Sequence, residues 1–204
     1  MAVKAQKRSL EDMREAAIGE ARQMMAEGGP DKVQARLLAV RLGVSVGTVY
    51  NLFGQLEELL FHVNASAYDE LMVAVNTDLD DARAKGAATV DLMLCLSRTY
   101  LHFVVANQDL WAGVLAFNRR GKSRVPDWYR QKERAVFDIV RTTVSGLSDN
   151  LEPDRLALAA AALWAAVHGI VTVSVGRDGL LATEDEVWTQ IELVVRSVAT
   201  ELGA

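Results

Sequence analysis

Apolar positions recur at three- and four-residue intervals along most of this chain. No alternating apolar and polar run bounded by turn residues interrupts them, so the pattern predicts an all-α fold. Ser9 and Asp12 frame a first helix as a capping-box pair; Met13, Ala17, Ala21 and Met24 keep its spacing, and Gly28-Gly29-Pro30 stops it. A short second helix is expected from about 33 to 42, with Leu38 and Leu42 on one face and Gly43 closing it in a left-handed conformation. Ser45 then caps a third helix that runs through Phe53. A longer fourth helix starts near Leu56, carries Leu59, Leu60 and Val63, and is expected to reach about Val75. Five more are read at about 88–106, 108–118, 127–147, 153–175 and 184–202. The last opens on a Thr183/Glu186 capping box and bears an apolar stripe of Val187, Ile191, Val194, Val195, Val198 and Leu202.

Gly43 to Phe53, GVSVGTVYNLF, departs from good helix-forming composition, crowding two glycines and three valines together. The residues make sense as two helices meeting at a corner. Ala39 is small where the helices cross, Gly43 supplies the turn, Val44 plugs the corner, Ser45 caps the next helix, and Val49 and Leu52 face back onto Leu38 and Leu42. This is the pattern of a helix-turn-helix, whose second helix is presented to the DNA major groove. On its outward face Val46 offers methyl groups to a thymine, Gly47 admits a close backbone approach, and Thr48, Tyr50 and Asn51 offer short hydrogen-bonding side chains.

Charge adds a regional contrast to that picture. The whole chain of 204 residues has a formal net charge of −5, which argues against a globally basic coat. Residues 1–52 nevertheless hold eight Lys or Arg, Lys4, Lys7 and Arg8 among them, against six acidic residues, an excess that the acidic remainder lacks. Cys95 is single and has no internal disulfide partner, which fits a reducing cytoplasm. No apolar core of signal-peptide length precedes Glu11-Asp12, so nothing marks the chain for export.

Ala39 to Phe53, together with Leu59-Leu60, resembles the N-terminal signature of the TetR family of bacterial transcriptional regulators, A-x-x-x-G-V-S-x-G-T-[LV]-Y-x-x-F followed by L-L. The resemblance implies a helix-turn-helix DNA-binding domain over residues 1–62 and a larger helical ligand-binding and dimerisation domain over 63–204. It implies a cytoplasmic homodimer that binds a palindromic double-stranded operator as a repressor and is released by a small molecule. Carried over by position, Thr48 and Tyr50 would contact phosphates, Val46 and Gly47 would approach bases and Arg36 would reach the groove edge; Ser45 and Asn51, read from their own chemistry, complete the expected DNA-binding set. The family usually opens its fourth helix with a Ser-Lys pair whose lysine holds a phosphate. Gln55-Leu56 stands there in this chain.

Residues 156–175 carry no charged side chain and are as long as a membrane span, but they are built on alanine and contain His168-Gly169. The reading preferred is a helix buried on one side in its own domain and on the other against a second copy, the last two helices of each copy forming a four-helix interface, with no membrane partner. Trp164-x-x-x-His168-Gly169 is similar to the W-x-x-x-H-G element of one C-terminal class of the family, as are Tyr100-Leu-x-Phe103 and Asn107-x-x-Leu110-Trp111. Tyr100, Phe103, Trp111, Phe117, Trp128, Phe137, Trp164 and His168 are therefore the candidates to surround a small apolar or aromatic effector. Catalysis has no positive sign. His62, His102 and His168 lie in different helices without metal-ligand spacing, Cys95 has no base nearby in sequence, and no glycine-rich phosphate loop occurs, so neither metal nor cofactor is expected. The alternative function is a helical interaction or ligand-binding module with weakened or lost DNA binding, which the missing lysine keeps open.

Overall fold

The computed structural model describes residues 9–119, 125–148, 152–175 and 183–203, so the basic residues Lys4, Lys7 and Arg8 lie outside the described residues. Among these residues the elements are helical: α1 (Leu10–Gly28), a 3-10 turn (Pro30–Lys32), α2 (Ala35–Leu42), α3 (Val46–Phe53), α4 (Leu56–Ala84), α5 (Thr89–Ala106), α6 (Gln108–Arg119), α7 (Asp127–Ser145), α8 (Pro153–Ser174) and α9 (Glu184–Glu201). Both expected capping boxes form: Ser9 and Asp12 satisfy each other's backbone N–H groups, as do Thr183 and Glu186. The sequence reading ends α4 too early. Leu79 is fully buried one turn beyond Val75, and no breaker follows until Gly86, which takes φ +75°.

The chain divides into two compact units, Met1–Ala67 with Asp109–Ser123, and Tyr68–Gln108 with Arg124–Ala204. The first contains α1, α2, α3, the start of α4 and, from far along the sequence, α6. Its core joins Met24 and Met25 of α1, Leu38 of α2, Val49 and Leu52 of α3, Leu59 and Val63 of α4, and Val114 of α6. Phe61 of α4 meets Phe117 of α6 edge to face at 5.2 Å, and the buried Asn64 amide donates to Asn118 Oδ1 at 3.3 Å. At Gly113 a Cβ would lie 2.4 Å from Met25 Cγ, so α6 can approach α1 this closely only with glycine there.

The second unit packs the rest of α4 with α5, α7, α8 and α9. Val187, Ile191 and Val195 of α9 point into its core, as do Ala160, Leu163, Val167 and Val171 of α8 and Met93, Leu96 and Leu101 of α5. Arg98 of α5 lies over the Trp188 ring of α9 at 4.2 Å, and His102 pairs with Glu184 at 3.2 Å. By length and composition α5 and α8 could each cross a membrane, and α8 buries little of its apolar surface within the chain.

Candidate nucleic-acid interface and ligand cavity

The corner between α2 and α3 is set by Gly43. Its φ of +67° is left-handed, which lets the Val44 N–H reach the Ala39 carbonyl at 2.9 Å and close the end of α2. Ser45 then turns the chain into α3: its Oγ accepts from the Thr48 N–H at 3.1 Å and lies 2.9 Å from the Thr48 hydroxyl. Val49, Leu52 and Phe53 are buried, and they fix which face of α3 points away. The opposite face carries exposed Ser45, Gly47, Tyr50 and Asn51, with Val46 and Thr48 half-buried beside them and exposed Arg36 on α2. Tyr50 leaves 48% of its surface in solvent, unusually open for so large an aromatic.

Gly47 is informative because the fold does not need it. A Cβ there would meet only Ser45 Oγ, at an ordinary 3.6 Å, and its backbone is plain helix. A glycine inside a helix costs about 1 kcal/mol relative to alanine.

The cations of this unit divide by role. Arg41 of α2 bonds Glu27 of α1 at 2.6 Å, with Glu20 at 3.8 Å, and this hydrogen bond holds the Glu27 carboxyl below the usual carboxylate range. Arg22 reaches Ser66 Oγ at 3.4 Å. Arg14 of α1 donates to the Leu52 carbonyl in the last turn of α3, lies 4.8 Å over the Phe53 ring, and stands 3.1 Å from His62 Nε2. These three arginines bind helix to helix, although Arg41 is itself exposed, and Lys32, Arg36 and Arg119 are exposed as well. Burial first, and the Arg14 charge second, push the His62 pKa below its ordinary value, opposed by Glu58 and Glu11. Sequence reasoning missed the Arg14 anchor, since nothing in local spacing marks a contact that spans 38 residues. At the start of α4, half-buried Leu56 is followed by Glu57 and Glu58, so this turn offers no cation to a phosphate.

The second unit contains a cavity between α4, α5, α7 and α8, with about 450 Å³ of empty space counting the solvent at its mouth. Of the aromatic candidates, Tyr100 and Trp164 line it, beside Ser97 and a set of aliphatic side chains such as Leu71, Val140 and Val167. His168 stands behind them: its ring stacks on Trp164 one turn away, 5.1 Å between centroids, and its Nδ1 is 2.7 Å from the Tyr100 hydroxyl. Phe103, Trp128 and Phe137 are half-buried in the same unit but do not line this cavity, and Trp128 lies edge-on to Tyr129 at 5.8 Å. Trp111 and Phe117 belong to the first unit, buried on α6. The aliphatic wall and Ser97 carried no signal in the sequence, because Leu and Val at helical spacing look the same around a cavity as in a core. Among the described residues no group of three or more His, Cys, Asp or Glu gathers to hold a metal.

Two family models match the chain. One, described as bacterial regulatory proteins, tetR family, covers residues 17–63; the other, described as tetracyclin repressor-like, C-terminal domain, covers 93–197. No curated protein matches. Among solved structures, a protein of unknown function from Rhodococcus sp. RHA1 aligns with a TM-score of 0.77 at 22% identity, covering 97% of this chain and 100% of its own. A transcriptional regulator from Rhodococcus sp. Rha1 gives 0.71 at 19% identity, with 92% and 96% covered. RolR, solved in complex with the ligand resorcinol, gives 0.63 at 20% identity, with 95% and 92% covered. At these identities the structural likeness speaks for the fold.

Proposed function

Since the chain belongs to the tetR family of bacterial regulatory proteins, which are transcription factors and not enzymes, we propose that it is a cytoplasmic repressor that binds a palindromic operator as a homodimer and is released by a small molecule. The observation that carries DNA reading is the outward face of α3. Its glycine answers no demand of the fold, and small polar groups surround it. Thr48 and Tyr50 hold phosphates, Val46, Gly47 and Asn51 meet base edges, Ser45 presents the helix N-terminus, and Arg36 supplies charge at the groove edge.

The homodimer is assigned to α8 and α9. Leu158 and Val173 of α8 and Leu193 of α9 keep 72%, 54% and 68% of their surface in solvent, with exposed Ala161 and Ala165 between the first two. A second copy covers such a face better than lipid does, because the family's C-terminal model runs through the whole of α8. The effector is assigned to the α4, α5, α7 and α8 cavity. Its aromatic and aliphatic wall suits an apolar body, and a structural relative, RolR, holds an aromatic ligand, resorcinol. An effector that favours the state with wrongly spaced reading heads must bind more weakly when operator is present, with a coupling of about 1 to 3 kcal/mol.

Selection of bound sequences from random double-stranded DNA tests the central claim. An enriched palindrome supports sequence-specific reading by a symmetric dimer. No enrichment at low salt rejects it in favour of a helical interaction module, the reading that Leu56 in place of a lysine keeps in view.

A further inference from the structure

The cavity's wall restricts what chemistry can enter. Among the described residues its lining includes no Lys, Arg, His, Asp or Glu, so a charged ligand group would leave water with no counter-charge there to meet. Two hydroxyls interrupt the apolar surface. The Ser97 hydroxyl donates to the Met93 carbonyl one turn back at 2.9 Å, which spends its only proton and leaves lone pairs facing inward. The Tyr100 hydroxyl shares a proton with His168 Nδ1 at 2.7 Å. His168 already covers one face of the Trp164 ring, which reduces the open π-surface that a cation would seek.

We propose that the cavity selects a neutral, mainly apolar molecule bearing one hydroxyl or N–H group that donates to Ser97 Oγ, and that it rejects the carboxylate or ammonium built on the same skeleton. This rests on the assignment of the cavity as the effector site and names the class of effector. Ser97 is then the residue that chooses among apolar bodies of equal size. An aliphatic or aromatic ring lies against Leu163, Val167 and Trp164, while the donor points toward α5. Without a donor on the ligand, the buried Ser97 lone pairs lose their solvent and gain no partner.

The test uses four probes of one shape: 4-ethylbenzyl alcohol, its methyl ether, 4-ethylbenzoate and 4-ethylbenzylammonium, titrated calorimetrically into the DNA-free protein. The alcohol is expected to bind about ten-fold more tightly than the ether, the worth of one good neutral hydrogen bond, and at least about 100-fold more tightly than either ion. Ser97→Ala should reduce the alcohol's advantage over the ether to less than about two-fold while keeping ether affinity, since the apolar wall is untouched. Ser97→Thr, which retains the hydroxyl, should restore the preference, and thermal unfolding confirms that both variants are folded. Equal or tighter binding of an ion, an ether that matches the alcohol in the wild type, or no binding by any probe overturns the proposal. Each of these outcomes leaves the DNA-reading assignment intact, because random-sequence selection reads that independently.

Discussion

Replacing Arg14 with Met removes the cation that ties α1 to the end of α3 and keeps a stem of similar length over Phe53. The guanidinium donates to the Leu52 carbonyl and rides 4.8 Å above the Phe53 ring. A hydrogen bond from a charged donor contributes about 1.5 to 3 kcal/mol, and an exposed cation–π contact about 0.5 to 1. Arg14 is only half-buried, so solvent screens part of both, and the carbonyl it leaves can take water. The net cost to the first unit is about 2 kcal/mol. That should speed hydrogen exchange of the protected α1 and α3 amides roughly 30-fold, with α9 amides unchanged because they belong to the other unit. An acceleration below about three-fold, or an equal one in α9, would refute the anchor.

The same substitution has a pH signature. Burial first and the Arg14 charge second disfavour the protonated form of His62, so the folded unit binds its proton less readily than the unfolded chain does. Stability from this source is present at and above the ordinary histidine value of 6.5 and is lost as pH falls from there toward the lowered folded value. Between pH 7.5 and 5.5 the first unit should therefore loosen in exchange experiments. In Arg14→Met the His62 titration, followed by NMR, should move up and the loosening become shallower. A His62 titration that does not move would show that Arg14 is electrically irrelevant to it.

Tyr50→Phe should weaken operator binding and leave thermal stability unchanged, whereas Asn51→Ala should alter base preference more than non-specific affinity. A uniform loss across all sequences would make Asn51 a backbone contact. Leu56→Lys should tighten binding and steepen the dependence of log K on log salt by about 0.9 for each protomer, and an unchanged slope would show that this turn does not reach a phosphate. Leu193→Glu or Ala165→Glu should give folded monomers in sedimentation, while a wild-type chain that is monomeric at micromolar concentration would sink the interface. Val195 belongs to the apolar stripe of α9 but is fully buried, so a glutamate there would report on folding and not on assembly.

The corner at residues 43–53 was legible because it is made of local necessities, each with its own residue type: a left-handed turn, a cap, and a buried pair one turn apart. The membership of α6 was not. Its ties to the first unit, Phe61 with Phe117 and Asn64 with Asn118, join positions more than 50 residues apart, and periodicity reports only that a helix has an apolar face. For the same reason the aromatic candidates divided. A tryptophan on an amphipathic helix reads alike whether it fills the core, as Trp111 does, or lines a cavity, as Trp164 does.

Alanine-rich α8 shows how far the distinction can be recovered. From sequence it is apolar all round. In the structure Ala160, Leu163, Val167 and Val171 face inward at spacings of three and four, leaving Leu158, Ala161, Ala165 and Val173 outside. Gly169 is half-buried in this helix, and a Cβ added to it would meet nothing within 4 Å. Like Gly47 in the first turn of α3, it is a helical glycine for which the single chain has no steric use, and in the interior of α8 it costs about 1 kcal/mol relative to alanine. Gly19 of α1 is another, and nothing in the structure explains it. Gly47 and Gly169, unlike Gly19, lie on the faces proposed for DNA and for a second copy, and we assign them to close approach there. Alanine at either position should therefore leave the isolated protomer as stable or more so, and weaken operator binding at Gly47 and self-association at Gly169.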